Sequence, residues 1–256
     1  MFHHDEFRFY ANTVLTSAQL QETSHYAAQM LDLMYAGYSD GIISGAHVSV
    51  EDDFLLVSSG MIRHHGKLYH MEKSERIPYL HTGTRTVLKL RFLDVQEREN
   101  GLRYDTELIL SEDEHLFPYE MELGRFWSEP GAMLRIDDGG WKEMAAAHNY
   151  FDIRNVPYAA IGVSTIAPFI TYAFAREMED KGDQTSYDIA FCMQALTKLP
   201  VDREVICRYL AACGEKRAPE PTNEQIYEGL LNVLDKRNTK TVKPCQETRA
   251  RKFIVE

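Results

Sequence analysis

A chain of 256 residues that is 44% apolar and 26% charged can bury a sizeable core, and it has the composition of an ordinary globular protein, not a disordered one. Its formal net charge of −11 arises in the first 150 residues, where 24 Asp and Glu face 13 Lys and Arg against 15 and 15 in the remainder; so acidic a front half repels phosphate backbones and argues against a nucleic-acid binder. No apolar run approaches the roughly 18 residues of a membrane span, and the opening Met1-Phe2-His3-His4-Asp5-Glu6 lacks the basic-then-apolar order of a secretory signal.

Residues 6–10 alternate as a short strand does. Thr16-Ser17-Ala18-Gln19 then has the form of a capping box, a hydroxyl followed three residues later by Gln. Behind it Leu20, Ala27, Leu31 and Met34 recur at helical spacing, and Gly37 supplies a stop, so the pattern predicts a helix to about Tyr35. From Gly41 to about Ile136 the period becomes two. Apolar runs at 43–50, 54–57, 61–63, 67–69, 86–92 and 106–110 are separated by glycines at 41, 45, 60, 66, 83 and 101. Several short strands about ten residues apart predict an antiparallel sandwich or small barrel. His65-Gly66 is expected as a tight hairpin turn, because Gly accepts positive φ and His is among the residues enriched there; a second hairpin centres on Asn100-Gly101.

Beyond Asp152 the helical period returns. Helices are predicted over 165–181, with Pro168 in the first turn where its missing N–H is harmless, and over 187–199 and 202–213, with Gly214 as a stop. Thr222-Asn223-Glu224-Gln225 repeats the capping-box form ahead of a helix to about Arg237. The domain plan is therefore a strand and helix over 1–40, a β-rich domain over 41–150 and a helical domain over 151–237. An extended basic arm over 238–256 completes it, and the fold class is α+β.

Gly60 to Lys67 imitates a phosphate-binding loop, but five residues separate its glycines where four are needed. Leu68 also replaces the metal-binding hydroxyl, and no helix is expected to follow. His64, His65 and His70 suggest a transition metal. On a strand, however, His64 and His65 point to opposite faces unless the turn redirects one, which leaves two ligands at best where zinc takes three or more. His3-His4 is a lone pair. Glu51-Asp52-Asp53 and Glu112-Asp113-Glu114 lack calcium-loop spacing and read as solvated turns. No GxSxG elbow is present, and Ser164 is expected in the N-terminal cap of the helix after it. Trp127 and Trp141 are the candidates for a sugar platform, with core positions expected for both. Cys192, Cys207, Cys213 and Cys245 lack CxxC spacing and are expected as buried free thiols. The basic residues of the arm, Arg249, Arg251 and Lys252 among them, lack interleaved aromatics and suit an acidic protein neighbour better than a nucleic acid. The reading is of a chain without catalytic residues, cofactor or metal.

Residues 15–92 carry a resemblance. The helix "LTSAQLQETSHYAAQMLDLMYAG" leads into "DGIISGAHVSVEDDFLLVSSGMIRHHGKLYH", with Gly41, Gly45, Val48, Gly60, Gly66, Lys67 and Tyr69 at the marked positions. This resembles a module of baseplate and fibre-attachment proteins of contractile-tailed phages, prophages and tailocins. The resemblance implies a structural subunit of a tail or baseplate, an adaptor between baseplate and fibre or neighbouring subunits. It also implies a homo-oligomer, with a trimer as one form, and residence in a virion or tailocin particle after synthesis in a bacterial host cytoplasm. The competing readings are a receptor- or carbohydrate-binding module of the same particle, and an enzyme acting on nucleotides or nucleic acid.

Overall fold

The computed structural model describes residues 14, 16–99, 101–136, 141–144, 148–216 and 218–237. The strand expected at 6–10 and the basic arm at 238–256, with Cys245, lie outside them. Helix α1 spans Ser17–Met34 and begins as its sequence dictates. Thr16 Oγ1 accepts from Gln19 N–H at 3.3 Å, and Gln19 Oε1 accepts from Thr16 N–H at 3.1 Å. The two side chains satisfy two of the donors that every helix start leaves open.

The strands follow in antiparallel ladders. β1 (Gly41–Gly45), β4 (Gly60–His64) and β5 (Lys67–Met71) form one sheet in the order β1-β4-β5. β2 (Val48–Glu51), β3 (Phe54–Val57) and β6 (Glu75–Pro78) form a second, in the order β2-β3-β6. β8 (Gln96–Arg98) and β9 (Gly101–Arg103) make a two-stranded ribbon at the hairpin expected there. β7 (Arg85–Phe92), β10 (Thr106–Ser111), β11 (Glu120–Trp127) and β12 (Phe151–Asp152) form the largest sheet, ordered β10-β7-β11-β12. These sheets are open, and among the described residues none closes into a barrel.

Two glycine positions explain the motif that spans this region. Gly45 pairs with Gly60 across β1 and β4. A Cβ on Gly45 would lie 2.0 Å from Ser59 O, and one on Gly60 would lie 2.4 Å from Ala46 N, so the two backbones meet where no side chain fits. At the β4–β5 turn, His65 and Gly66 have φ of 47° and 76°, and His64 pairs with Lys67. Two consecutive positive φ values make the mirror-image turn that matches strand twist.

Four helices complete the chain: α2 (Pro168–Met178), α3 (Ser186–Ala195), α4 (Arg203–Ala212) and α5 (Asn223–Lys236). Pro168 stands in the first turn of α2 as expected, but the residue capping that helix is Ala167 and no side chain bonds there. Ser164 therefore does not cap it. Its carbonyl is taken by Arg203 Nε at 2.6 Å, while Thr165 Oγ1 donates to Val201 O at 2.6 Å. The pair ties the entry to α2 to the loop before α4. Thr222 and Gln225 box the start of α5 as predicted. A third box, Thr185 with Asp188 at the start of α3, was not foreseen, because its third residue is Asp where Glu or Gln is usual.

One buried apolar cluster runs from Ile42 to Leu234, joining strands and helices. Residues 156–160 run beside β1, with Ile42 N–H donating to Pro157 O and Ala159 N–H to Ile42 O, each at 2.9 Å. Trp141 is 1% exposed, donates to Glu177 Oε1 on α2, and offers its carbonyl to Tyr227 on α5 at 2.7 Å. Strand β7 is buried on both faces, Lys89 included. Lys89 Nζ donates to Glu120 Oε2 at 3.2 Å and to His115 O at 2.5 Å. A buried ammonium persists only when its protons are taken up in this way.

Candidate functional site

The least satisfied part of the fold is its first helix. None of the 18 residues of α1 is buried. Leu20, Tyr26, Met30, Leu31, Leu33 and Met34 are between 40% and 73% exposed. At ~100° per residue these side chains fall on one arc of roughly half the circumference, which also carries Ala27, Gln19 and Thr23. His25 and Asp32 fall on the other side, and Glu22 borders the arc beside Leu33. The stripe of Leu20, Ala27, Leu31 and Met34 read from the sequence is present and exposed. Ala28, Leu31 and Asp32 form one wall of an open groove of about 1360 Å³, whose other walls include Leu68 and Tyr69 of β5 and Leu102 of β9. β5 is also a sheet edge, since among the described residues it pairs only with β4.

At the far end of the same hairpin lies a titratable corner. His64 ends β4 and is 8% exposed, its ring stacked on Phe92 at 3.7 Å. His65 occupies the left-handed turn position, which swings its ring back beside His64, with centroids 4.2 Å apart. The turn thus redirects one of the two rings, the exception to strand alternation that the sequence left open: His65 is a turn residue. Asp40, between α1 and β1, is the third member. Its Oδ2 accepts from His65 N–H at 2.9 Å and lies 3.7 Å from His64 Nδ1. Its Oδ1 is 3.5 Å from Arg63 Nη1, which also donates to Tyr38 O at 2.5 Å. Burial lowers the pKa of His64, the neighbouring His65 acts in the same direction, and Asp40 opposes them. His70, in contrast, lies in β5 opposite Met61 of β4 and stands apart from the corner. Sequence spacing pointed to the histidines and gave no sign of Asp40, which is brought in from a different segment of the chain.

The remaining candidates resolve individually. The stretch from Gly60 to Lys67 is the β4–β5 hairpin; Lys67 Nζ lies over the Tyr104 ring at 4.6 Å, and β5 follows it. Asp52 turns the chain between β2 and β3 with φ 50°, and Glu51 pairs with Arg76 at 3.0 Å. Glu114 pairs with Arg125 at 2.9 Å. Both acidic runs are surface turns. Cys192 and Cys207 are buried thiols outside any disulfide and Cys213 is half-buried; burial pushes Cys192 up to about 12, which makes it a poor nucleophile. Trp141 is in the core as expected, whereas Trp127 is 43% exposed. Trp127 ends β11 at the surface, where its indole donates to Gly83 O at 2.9 Å and His148 covers one ring face at 4.3 Å.

No protein-family model matches the chain, and no curated protein matches it. Among solved structures, one likeness is to a crystal structure of TssK, with 8% identity over 91% of this chain and 71% of that one and a TM-score of 0.40. Another is to a chain of the type VI secretion system TssK-TssF-TssG baseplate subcomplex, determined by cryo-electron microscopy. There the identity is 9%, the coverage 91% of this chain and 99% of that one, and the TM-score 0.41.

Proposed function

We propose that the chain is a structural subunit of a phage-type contractile tail or baseplate, that it performs no reaction of its own, and that it assembles first with copies of itself through α1. The observation that carries this is the 18-residue helix with both N-terminal cap bonds made and no residue buried. Most helical stability in proteins comes from packing an apolar face and not from propensity. Fully burying a Leu or Met side chain contributes about 1.5–3 kcal/mol. Six large apolar side chains on one arc are therefore a strong drive toward a bundle. The occupant is a second copy because the arc carries no charge of its own: His25 and Asp32 lie opposite it and Glu22 only borders it, so like meets like with little repulsion. The resemblance of residues 15–92 to tail and baseplate modules supports the particle, and the free edge of β5 offers a second seam for a neighbour.

The test is the mass of the purified chain by size-exclusion chromatography with light scattering, beside a Leu20→Asp, Met34→Asp variant. The expected result is a discrete oligomer for the parent and a monomer for the variant, with unchanged near-ultraviolet circular dichroism. A parent that is monomeric at tens of micromolar, or a variant that keeps the parent's mass, overturns the reading.

A further inference from the structure

The Asp40, His64 and His65 corner is arranged as a ligand set, and we propose that it binds one divalent transition-metal ion of the zinc, nickel or copper type. One ligand atom from each residue lies within 4.8 Å of the others. His64 Nδ1 lies 3.7 Å from Asp40 Oδ2, too far for a hydrogen bond. Two atoms bound to one zinc at 2.0–2.1 Å in a tetrahedron stand about 3.3 Å apart. The corner is thus open by a few tenths of an ångström in one direction and by about 1.5 Å at most in another, within reach of a rotation of the exposed His65 ring.

Each ligand is held by something else, as a binding site requires. Phe92 stacks on His64, the left-handed turn fixes where His65 starts, and the His65 N–H and Arg63 fix the Asp40 carboxylate. Two imidazoles and one carboxylate, with other coordination positions left to water, form a donor set for borderline metals. The same set disfavours magnesium and calcium, which take oxygen ligands. Arg63 works in the same direction. It already offsets the Asp40 charge, so the corner attracts a dication by ligand chemistry more than by field. A bound ion would cross-link the segment between α1 and β1 to the β4–β5 turn, and would thereby fix the direction in which α1 leaves the sheet.

The experiment is calorimetric titration of the full chain, first dialysed against chelator, with Zn²⁺, and with Co²⁺ followed by visible absorption. His65→Asn, which retains a residue suited to the turn, and Asp40→Asn are compared with His70→Ala and with a His3→Ala, His4→Ala double variant. The expected result is one equivalent bound, undisplaced by millimolar Mg²⁺, and a rise in melting temperature on binding. His65→Asn and Asp40→Asn should each weaken Zn²⁺ by more than the roughly 10–100-fold that loss of an outer-shell partner costs, while His70→Ala and the double variant leave it unchanged. Zinc affinity that is undiminished in His65→Asn, that vanishes in the His3, His4 variant, or that is absent in the parent overturns the proposal. Circular dichroism of His65→Asn equal to the parent separates ligand loss from misfolding.

Discussion

Asp188 has no exposed surface, and five donors converge on it, the Cys213 thiol at 3.8 Å among them. Its Oδ2 accepts from Thr185 N–H at 2.6 Å and Thr185 Oγ1 at 2.7 Å, closing the cap of α3. Oδ1 accepts from Tyr209 on α4 at 2.7 Å, and Arg237 after α5 pairs with Oδ2 at 2.9 Å. One carboxylate thus ties three helices. Asp188→Ala removes a cap, at about 1 kcal/mol, and strands the buried Tyr209 hydroxyl, at about 1–3 kcal/mol. It also leaves Arg237 without its carboxylate. The total expected is about 4 kcal/mol, in the range for breaking a buried pair from one side. Tyr209→Phe, which leaves Asp188 its other donors, should cost about 1 kcal/mol. The double variant should fall short of the sum, because the hydroxyl stranded in one is deleted in the other. Urea unfolding followed by tryptophan fluorescence reads all four proteins. A loss below about 1 kcal/mol in Asp188→Ala, or full additivity with Tyr209→Phe, would refute the reasoning.

Gly60→Ala places a methyl against the Ala46 backbone, and overpacking of this kind should destabilise by about 1–3 kcal/mol or more in the same assay. Trp141→Ala should cost about 3–5 kcal/mol, as deleting a buried ring does, whereas Trp127→Ala should cost clearly less because its ring is already 43% exposed; equal losses would contradict the placement of β11's end. Burial alone would raise Asp188 and Glu120, but the bonds from Tyr209 and Thr185 to the first, and from Arg91 and Lys89 to the second, hold both below the ordinary values of 3.8 and 4.5. A depressed carboxyl stabilises the fold above its unfolded pKa and loses that contribution as pH falls through its folded pKa. Urea midpoints should therefore be insensitive to these groups near neutrality and fall with acidification below about pH 4, less steeply in Asp188→Asn; a midpoint that rises on acidification would contradict this.

What was legible in the sequence was mostly local. Thr16 with Gln19 and Thr222 with Gln225 marked helix starts because both partners of each bond lie within one turn. His65-Gly66 marked its hairpin because left-handed backbone is tolerated by few side chains. What was missed is long-range. Lys89 interrupts an apolar run and is buried, through a Glu120 that lies one strand over. Asp40 joins His64 and His65 only once β1 has folded against β4. Ser164 looked like a cap because hydroxyls favour helix starts, yet the helix begins at Pro168, and Arg203 takes the Ser164 carbonyl. The α1 periodicity was read correctly, but periodicity cannot say which molecule supplies the other half of the interface.

That last point can be measured directly by amide hydrogen exchange over residues 17–34 across a concentration series. If α1 packs on α1 of another copy, its amides should be strongly protected in the concentrated protein. They should exchange quickly on dilution below the dissociation range, while β7 and β11 stay protected throughout. Fast exchange along α1 at concentrations where the chain is fully oligomeric would contradict the account.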